Sequence, residues 1–413
     1  MRLLHTSDWH LGQNFMGKSR QAEHQALIDW LIAQTEAHAV DAVLIAGDIF
    51  DTGAPPSYAR ELYSQLVVRL HEAGVALLLL GGNHDSVATL RESSALLEYL
   101  STHVVPSAEA PESQVRVLPV RRRDGKAEPG CVVCAIPFIR ARDVMQTEFG
   151  QSAEDKQQQL LRSIAAYYQA VFDAANVLRE RLSTQVGRKL PLIATGHLTT
   201  VGASATESVR EIYVGALDAF PTAAFPAVDY LALGHIHRPQ KVGGLEHLRY
   251  SGSPIPLSFD EASQQKEVLL VDLDASGLRQ ITPLAVPVFQ TLVALRGNLK
   301  SLADAFRHAV QDATHERPLW VEVTVAEDDY LSDLPARIQT LAEGLPVEVL
   351  RIRRERGNTA AQLSGEAGVT LDELDPHDVF ARRLEQEALS DDLRDALTAR
   401  YRTIVASTAE DAA

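Results

Sequence analysis

Residues 41–51 read DAVLIAGDIFD, a short β-branched and aliphatic run that stops at Gly47 and Asp48 and turns polar. A run this short and this apolar reads as a strand buried on both faces, and the carboxylate directly after it sits where a strand gives way to a loop. The same grammar recurs outward in both directions. MRLLHTSDWHLG ends in Asp8 and His10, VALLLLGGNHD ends in Asn83 and His84, LPLIATGHLTT carries His197, and VDYLALGHIHR carries His235 and His237. Between the first three strands lie two helices, RQAEHQALIDWLIAQTEAH and PSYARELYSQLVVRLHEAG, the second opened by Pro55 and Pro56 and closed by Gly74. Strands alternating with amphipathic helices predict a layered α/β domain over 1–285, with a longer insert that contains a helix at about 155–182.

Five strands therefore end in Asp, His or Asn immediately before a loop, the place where α/β sheets present ligand-binding groups. One such residue would be an ordinary core or surface side chain. Two carboxylates, one carboxamide and several imidazoles, each beside a Gly or Ser that lets backbone and ions come close, predict a common site at one sheet edge. The donor set of Asp8, His10, Asp48, Asn83, His197, His235 and His237 mixes oxygen and nitrogen and has no thiolate. It suits manganese, iron or zinc better than calcium. Seven donors are too many for one open catalytic ion and fit a pair, with a carboxylate such as Asp48 offering one oxygen to each. His235 and His237 stand two apart and so share one side of an extended segment, yet the ligand count divides them, one to each ion.

The rest of the chain bounds the function. A length of 413 residues, 46% hydrophobic, supports two or three domains with real cores. No apolar run approaches the roughly 20 residues that span a bilayer and MRLLHTSD lacks a signal-peptide core, which predicts a cytoplasmic protein without a membrane segment. A net charge of −16 excludes broad, nonspecific adhesion to nucleic acid but not a nucleic-acid substrate. Basic runs remain at 120–126, 139–143 and 351–356, and bound cations add positive charge. Cys131 and Cys134 have the spacing of a redox pair or half a zinc site, but CVVCAIPF reads as a buried strand carrying two ordinary cysteines.

From 286 to 354 the pattern becomes a compact β-α-β-α-β unit. Residues 355–374 are small, polar and glycine-containing, a linker. Over 375–413, Asp375 caps a helix with Pro376 at its first position, and Leu389, Leu393, Leu397 and Tyr401 form a stripe, predicting C-terminal amphipathic helices.

The ordered motifs D-x-H, G-D-x-x-D, G-N-H-D, G-H and G-H-x-H resemble those of the calcineurin-like metallophosphoesterases. The longer stretches LHTSDWHLGQNFMGKSRQAEH, AGDIFDTGAPPSYAR, GGNHDSVATL, GHLTTVGA and YSGSPIPLSFDE resemble the SbcD family of nuclease subunits within them. The resemblance implies an α/β fold built as a four-layer β-sandwich flanked by helices, with a small α+β capping domain. It implies a manganese-dependent nuclease that acts on double-stranded ends and on single-stranded or hairpin DNA in repair, recombination and replication. Asp8, His10, Asp48 and His237 would hold one ion, and Asp48, Asn83, His197 and His235 the other.

His84 would be the acid or phosphate clamp, with Asp85 keeping its imidazole oriented and charged; Asp51 would orient the metal site from the following loop. The capping unit would grip DNA, the C-terminal helices would dock on an SbcC-type, SMC-like ATPase, and two copies would pair within a heterotetramer. That pairing would use helices near 57–73 and 89–100, where Tyr58, Leu62, Leu66, Leu70, Leu96, Leu97 and Leu100 suit either an interface or a core. A small-molecule phosphatase or phosphodiesterase would use the same metal centre without needing the capping unit or tail. A noncatalytic scaffold would need neither His84 nor an unbroken ligand set.

Overall fold

Arg2–Thr6, Ala42–Ile45 and Ala76–Leu80 lie side by side as parallel strands, with Leu3 opposite Ala42 and Ala42 opposite Ala76. They form the middle of a six-stranded sheet ordered Gly277–Ala285, Glu267–Asp274, Arg2–Thr6, Ala42–Ile45, Ala76–Leu80, Thr102–Val105. A second six-stranded sheet runs Gln240–Val242, Leu245–Tyr250, Tyr230–Gly234, Leu192–His197, Ala127–Cys134, Val115–Arg121. The structure is a computed structural model that describes residues 1–121, 127–145, 152–209, 219–310, 313–326, 333–355, 397–398 and 400–401.

Period-two alternation in each strand builds three cores at once. Leu3, Leu44 and Leu78 point inward against Val133, Ile193, Tyr230 and Ala232 of the other sheet. Their neighbours Leu4, Val43, Ile45, Leu77 and Leu79 point outward, onto Leu27 and Leu31 of helix Gln21–Ala37 and Leu62, Leu66 and Leu70 of helix Ser57–Ala73. On the far side, Leu192, Ala194, Leu231 and Leu233 pack on Leu160, Ile164, Tyr168 and Val171 of helix Ala153–Val186. The result is the helix–sheet–sheet–helix sandwich that the resemblance implies. Helix Ser57–Ala73 ends, as read, at Gly74 in the left-handed conformation (φ 67°).

One expectation changes. The five strand ends do not share one sheet edge: three belong to the first sheet and two to the second, so the site bridges the carboxyl ends of both. The hairpin Glu267–Asp274/Gly277–Ala285 extends the first sheet, Glu267–Asp274 running antiparallel to Arg2–Thr6 and Gly277–Ala285 antiparallel to Glu267–Asp274. The cysteines are strand residues, and they resolve cleanly: Cys131 faces the inter-sheet core and Cys134 the helix-covered core. Thiols on opposite faces of one strand can share neither a disulfide nor an ion. Burial pushes both up to about 12, which keeps them protonated and inert.

Leu292–Gly297, Leu319–Val325 and Val347–Arg354 form a separate three-stranded parallel sheet, crossed by helices Leu299–Ala309 and Leu334–Ala342. Leu302, Phe306, Val321, Val323, Leu334 and Ile338 give this β-α-β-α-β unit its own core. It meets the sandwich through Phe15, whose ring stacks on Trp320 at 5.7 Å, through Phe259 and Leu292 in the same cluster, and through ion pairs Lys18–Glu348 (2.8 Å) and Glu207–Arg353 (3.2 Å). Apart from Glu355 and residues 397–398 and 400–401, the linker and C-terminal helices read over 355–413 lie outside the described residues, as do 122–126 of the first basic run.

Candidate metal centre

The chain turns sharply after three of the five strands that carry donors. Asp8 (φ 55°), His10 (φ 48°), Asp48 (φ 51°) and His235 (φ 90°) all occupy the left-handed region that non-glycine residues avoid. Four strained residues in one place, held by Asp8 N–H to Gly47 O (3.0 Å) and by Trp9 and His10 N–H to Asp48 O (2.9 and 3.1 Å), mark a site where the fold sustains strain for placement. Gly82 and Gly234 are required for a different reason. A Cβ at Gly82 would lie 2.1 Å from Asp48 Oδ1, and one at Gly234 would lie 2.0 Å from Ala46 O.

These turns bring every donor named from the sequence together. Asp8, His10 and His237 place ligand atoms within 4.8 Å of one another, as do Asp48, His197 and His235, and as do His10, Asp48 and His84. Asn83 Oδ1 joins the second group, 2.9 Å from His197 Nε2 and 3.1 Å from His235 Nδ1. Asp8, His10, Asp48, His197, His235 and His237 are buried, whereas Asn83 and His84 are half-buried at the rim.

Each of three imidazoles is oriented from behind. His10 Nδ1 meets Asp51 Oδ1 at 3.0 Å. His197 Nδ1 donates to Ala46 O (2.8 Å), and His237 Nδ1 meets Ser208 Oγ (2.6 Å) and Glu261 Oε1 (3.3 Å). The opposite ring edges then face inward. His10 Nε2 is buried without a hydrogen-bond partner, 3.6 Å from Asp48 Oδ2. A sealed ring nitrogen without a hydrogen-bond partner beside a carboxylate is unfavourable for protein alone and apt for a cation. The donor set thus fits divalent ions.

Opposite charges crowd together among these donors. Burial would raise Asp48, but the charges of His197 and His10 hold its carboxyl well below the usual range. His197 is the converse: burial opposes its charge, yet Asp48 beside it raises the imidazole to about 9. Burial, together with the nearby His197, drives His235 well below the ordinary histidine value. His10 is raised despite burial by Asp51, Asp48 and Asp8.

Asp85 does something other than orient His84. Its carboxylate accepts N–H groups from Gly82 (2.8 Å), Phe50 (2.9 Å) and Ile49 (3.1 Å), so it ties the GNHD turn to the chain just after Asp48. Burial and the neighbouring Asp48 raise it to about 6. His84 is oriented instead by Asp51, whose carbonyl accepts from His84 Nδ1 at 2.8 Å. A carbonyl can only accept, so Nδ1 is the donor in this contact.

Sequence reasoning missed Glu261 and Lys266, a buried ion pair (2.6 Å) behind His237. The only signal was that SFDE lies within a stretch singled out by resemblance. Neither residue sits at a parallel strand end, so the strand-end argument could not reach them.

A profile of the calcineurin-like phosphoesterases matches residues 1–239, and one described as the type 5 capsule protein repressor C-terminal domain matches 288–388. The chain is 50% identical over 404 residues to the SbcD subunit of nuclease SbcCD from Escherichia coli (strain K12), covering 98% of this chain and 97% of that protein. It is 33% identical over 374 residues to the protein of the same name from Rhodobacter capsulatus, covering 87% and 89% of the two chains. With that from Bacillus subtilis (strain 168) the identity is 32% over 280 residues, 66% of each chain.

Proposed function

The chain belongs to the calcineurin-like phosphoesterase family and, within it, to the SbcD nucleases, and from that premise we propose a two-metal DNA nuclease whose centre is divided at Asp48. Asp8, His10, Asp48 and His237 hold one divalent ion, and Asp48, Asn83, His197 and His235 hold the other, with manganese as the metal. The observation that carries the division is that a single oxygen of Asp48, Oδ2, lies between the two donor groups, 3.6 Å from His10 Nε2 and 3.2 Å from His197 Nε2, while Oδ1 accepts the His84 amide instead of serving one of the groups.

Bound there, the ions supply Lewis-acid charge to the phosphate and a water acidic enough to attack at neutral pH. The chain does the rest. The buried floor of donors fixes the ion positions, and the half-buried rim admits phosphodiester. His84, pinned through Nδ1 to the Asp51 carbonyl, presents Nε2 to the leaving oxygen as proton donor or phosphate clamp. Asp85 sets the spacing between Asn83 and Asp48 by gathering the three amides around them.

The substrate is DNA, cut as double-stranded ends and as single strands or hairpins in repair, recombination and replication, in the cytoplasm. The unit over 286–354 grips it beside the site, the linker over 355–374 gives reach, and residues 375–413 dock on an SbcC-type ATPase. Two copies pair through the helices near 57–73 and 89–100. Leu96 and Tyr99 are 64% and 85% exposed there, beside a groove of about 370 Å³, while Leu62, Leu66 and Leu97 are buried and serve the core. No helix among the described residues is long and apolar enough to cross a membrane.

The test is hydrolysis with manganese of end-labelled duplex DNA beside bis-p-nitrophenyl phosphate, with and without the ATPase and ATP. Cleavage of DNA supports the proposal. Hydrolysis of the small ester alone, even with the ATPase, refutes the nuclease and favours a small-molecule phosphodiesterase.

A further inference from the structure

Glu261 is the last residue of a short turn, Phe259–Glu261, 24 residues beyond His237 in the chain. It is fully buried. A carboxylate there must be neutralised and hydrogen-bonded or it destabilises the fold. Both oxygens are saturated. Oε1 receives Thr206 Oγ1 (2.9 Å), Ser208 Oγ and His237 Nδ1 (3.3 Å), and Oε2 receives Lys266 Nζ (2.6 Å), the Leu257 amide (3.0 Å) and Ser253 Oγ (3.2 Å).

Lys266 closes the arrangement by donating also to the backbone carbonyl of His237 (2.9 Å), which the Ser253 amide reaches at 3.1 Å. His237 is therefore held twice: at its ring by Ser208 Oγ (2.6 Å from Nδ1), which itself donates to Glu261, and by Glu261 Oε1 directly (3.3 Å), and at its backbone by Lys266. The other donor group is built differently: His197 leans on a main-chain carbonyl and His235 meets Asn83. The carboxylate support is one-sided.

We propose that Glu261, locked by Lys266, is a positioning residue for His237 alone, so that the ion on the Asp8–His10–His237 side depends on it and the ion on the Asn83–His197–His235 side does not. This rests on the two-ion reading above. The carboxylate keeps the proton on Nδ1 and so presents the Nε2 lone pair to the ion. Glutamine at 261 keeps the volume but loses the charge and one acceptor.

The test is Mn2+ titration of the full chain, read by the loss of the free-ion electron paramagnetic resonance signal and by the appearance of a spin-coupled pair. Wild type is expected to bind two ions and show coupling. Glu261→Gln should lose about 10–100-fold in affinity for one ion, as loss of an outer hydrogen-bond partner typically does, and show no coupling at two equivalents. In a His197→Ala background the remaining ion should weaken by the same factor, and in a His237→Ala background Glu261→Gln should change nothing further. The double variant Glu261→Gln/Lys266→Met removes both charges, guards against misfolding from an unpaired lysine, and should show the same selective loss. Wild-type affinity for both ions in the two Glu261 variants, or equal weakening of both, overturns the inference while leaving the metal centre standing. A wild-type chain that never takes a second ion overturns the metal-centre reading itself.

Discussion

Filling the site should expel a proton from His197, and the structure sets how many and over what pH. Ala46 O accepts from Nδ1 at 2.8 Å, while Nε2 faces Asn83 Oδ1 at 2.9 Å and Asp48 Oδ2 at 3.2 Å. Acceptors on both sides of one ring require an imidazolium, in agreement with a value raised to about 9 by Asp48 against the opposition of burial. An ion bound at Nε2 must displace that proton. At pH 7 the displacement spans about two pH units, roughly 3 kcal/mol of competition. Apparent Mn2+ affinity for this ion should therefore rise about tenfold per pH unit up to about 9 and then level. Calorimetry in buffers of different ionisation enthalpy should count at least one proton released at about pH 7.5, and about one fewer in His197→Asn.

Without metal the sign reverses. A raised histidine stabilises the fold fully below its unfolded value near 6.5, and the contribution is lost as pH rises through about 9. The wild-type advantage over His197→Asn in metal-free melting temperature should shrink across that window. A flat metal affinity between about pH 7 and 8.5 with no proton release would refute the reasoning.

Other outcomes follow from single contacts. His84→Gln should retain both ions but lose about 10²–10⁴-fold in DNA cleavage, measured as kcat at saturating Mn2+; cleavage at the parent rate removes His84 from the mechanism. Gly82→Ala places a methyl 2.1 Å from Asp48 Oδ1 and should abolish coupled metal binding in titration, whereas undiminished binding would show that the turn yields. Asp85→Asn turns an amide NH2 toward a backbone N–H and should destabilise the fold by about 1–3 kcal/mol in urea melts, with metal affinity falling in parallel; a wild-type melt would show that the three amides do not depend on the carboxylate. Leu96→Glu/Tyr99→Glu should leave melting temperature within a few degrees but convert any dimer to monomer in sedimentation; an unchanged assembly places pairing elsewhere.

The fold was legible wherever apolar runs ended in punctuation. DAVLIAGD and VALLLLGGN carry their strands in composition, and Gly74 closes its helix by the left-handed conformation it adopts. The donors were legible because strand ends gather chemistry that packing does not need. What escaped was set by long-range pairing. The place of the hairpin after Glu267 in the first sheet is set by its pairing with Arg2–Thr6, and the division of strands between two sheets depends on contacts across the sandwich. Asp85 follows His84 directly in the sequence, but its carboxylate meets the backbone at Ile49 and Phe50. Adjacency in sequence did not predict contact. Glu261 meets His237 across 24 residues of chain, and no periodicity links them.

The central claim is a pair of ions sharing Asp48. Anomalous diffraction at the manganese edge from crystals grown with Mn2+ tests it most directly. Two peaks about 3.5–4 Å apart, one against Asp8, His10 and His237 and the other against Asn83, His197 and His235 with Asp48 between them, are the predicted result. A single peak at saturating Mn2+, or peaks that leave Asp48 uncoordinated, would contradict it.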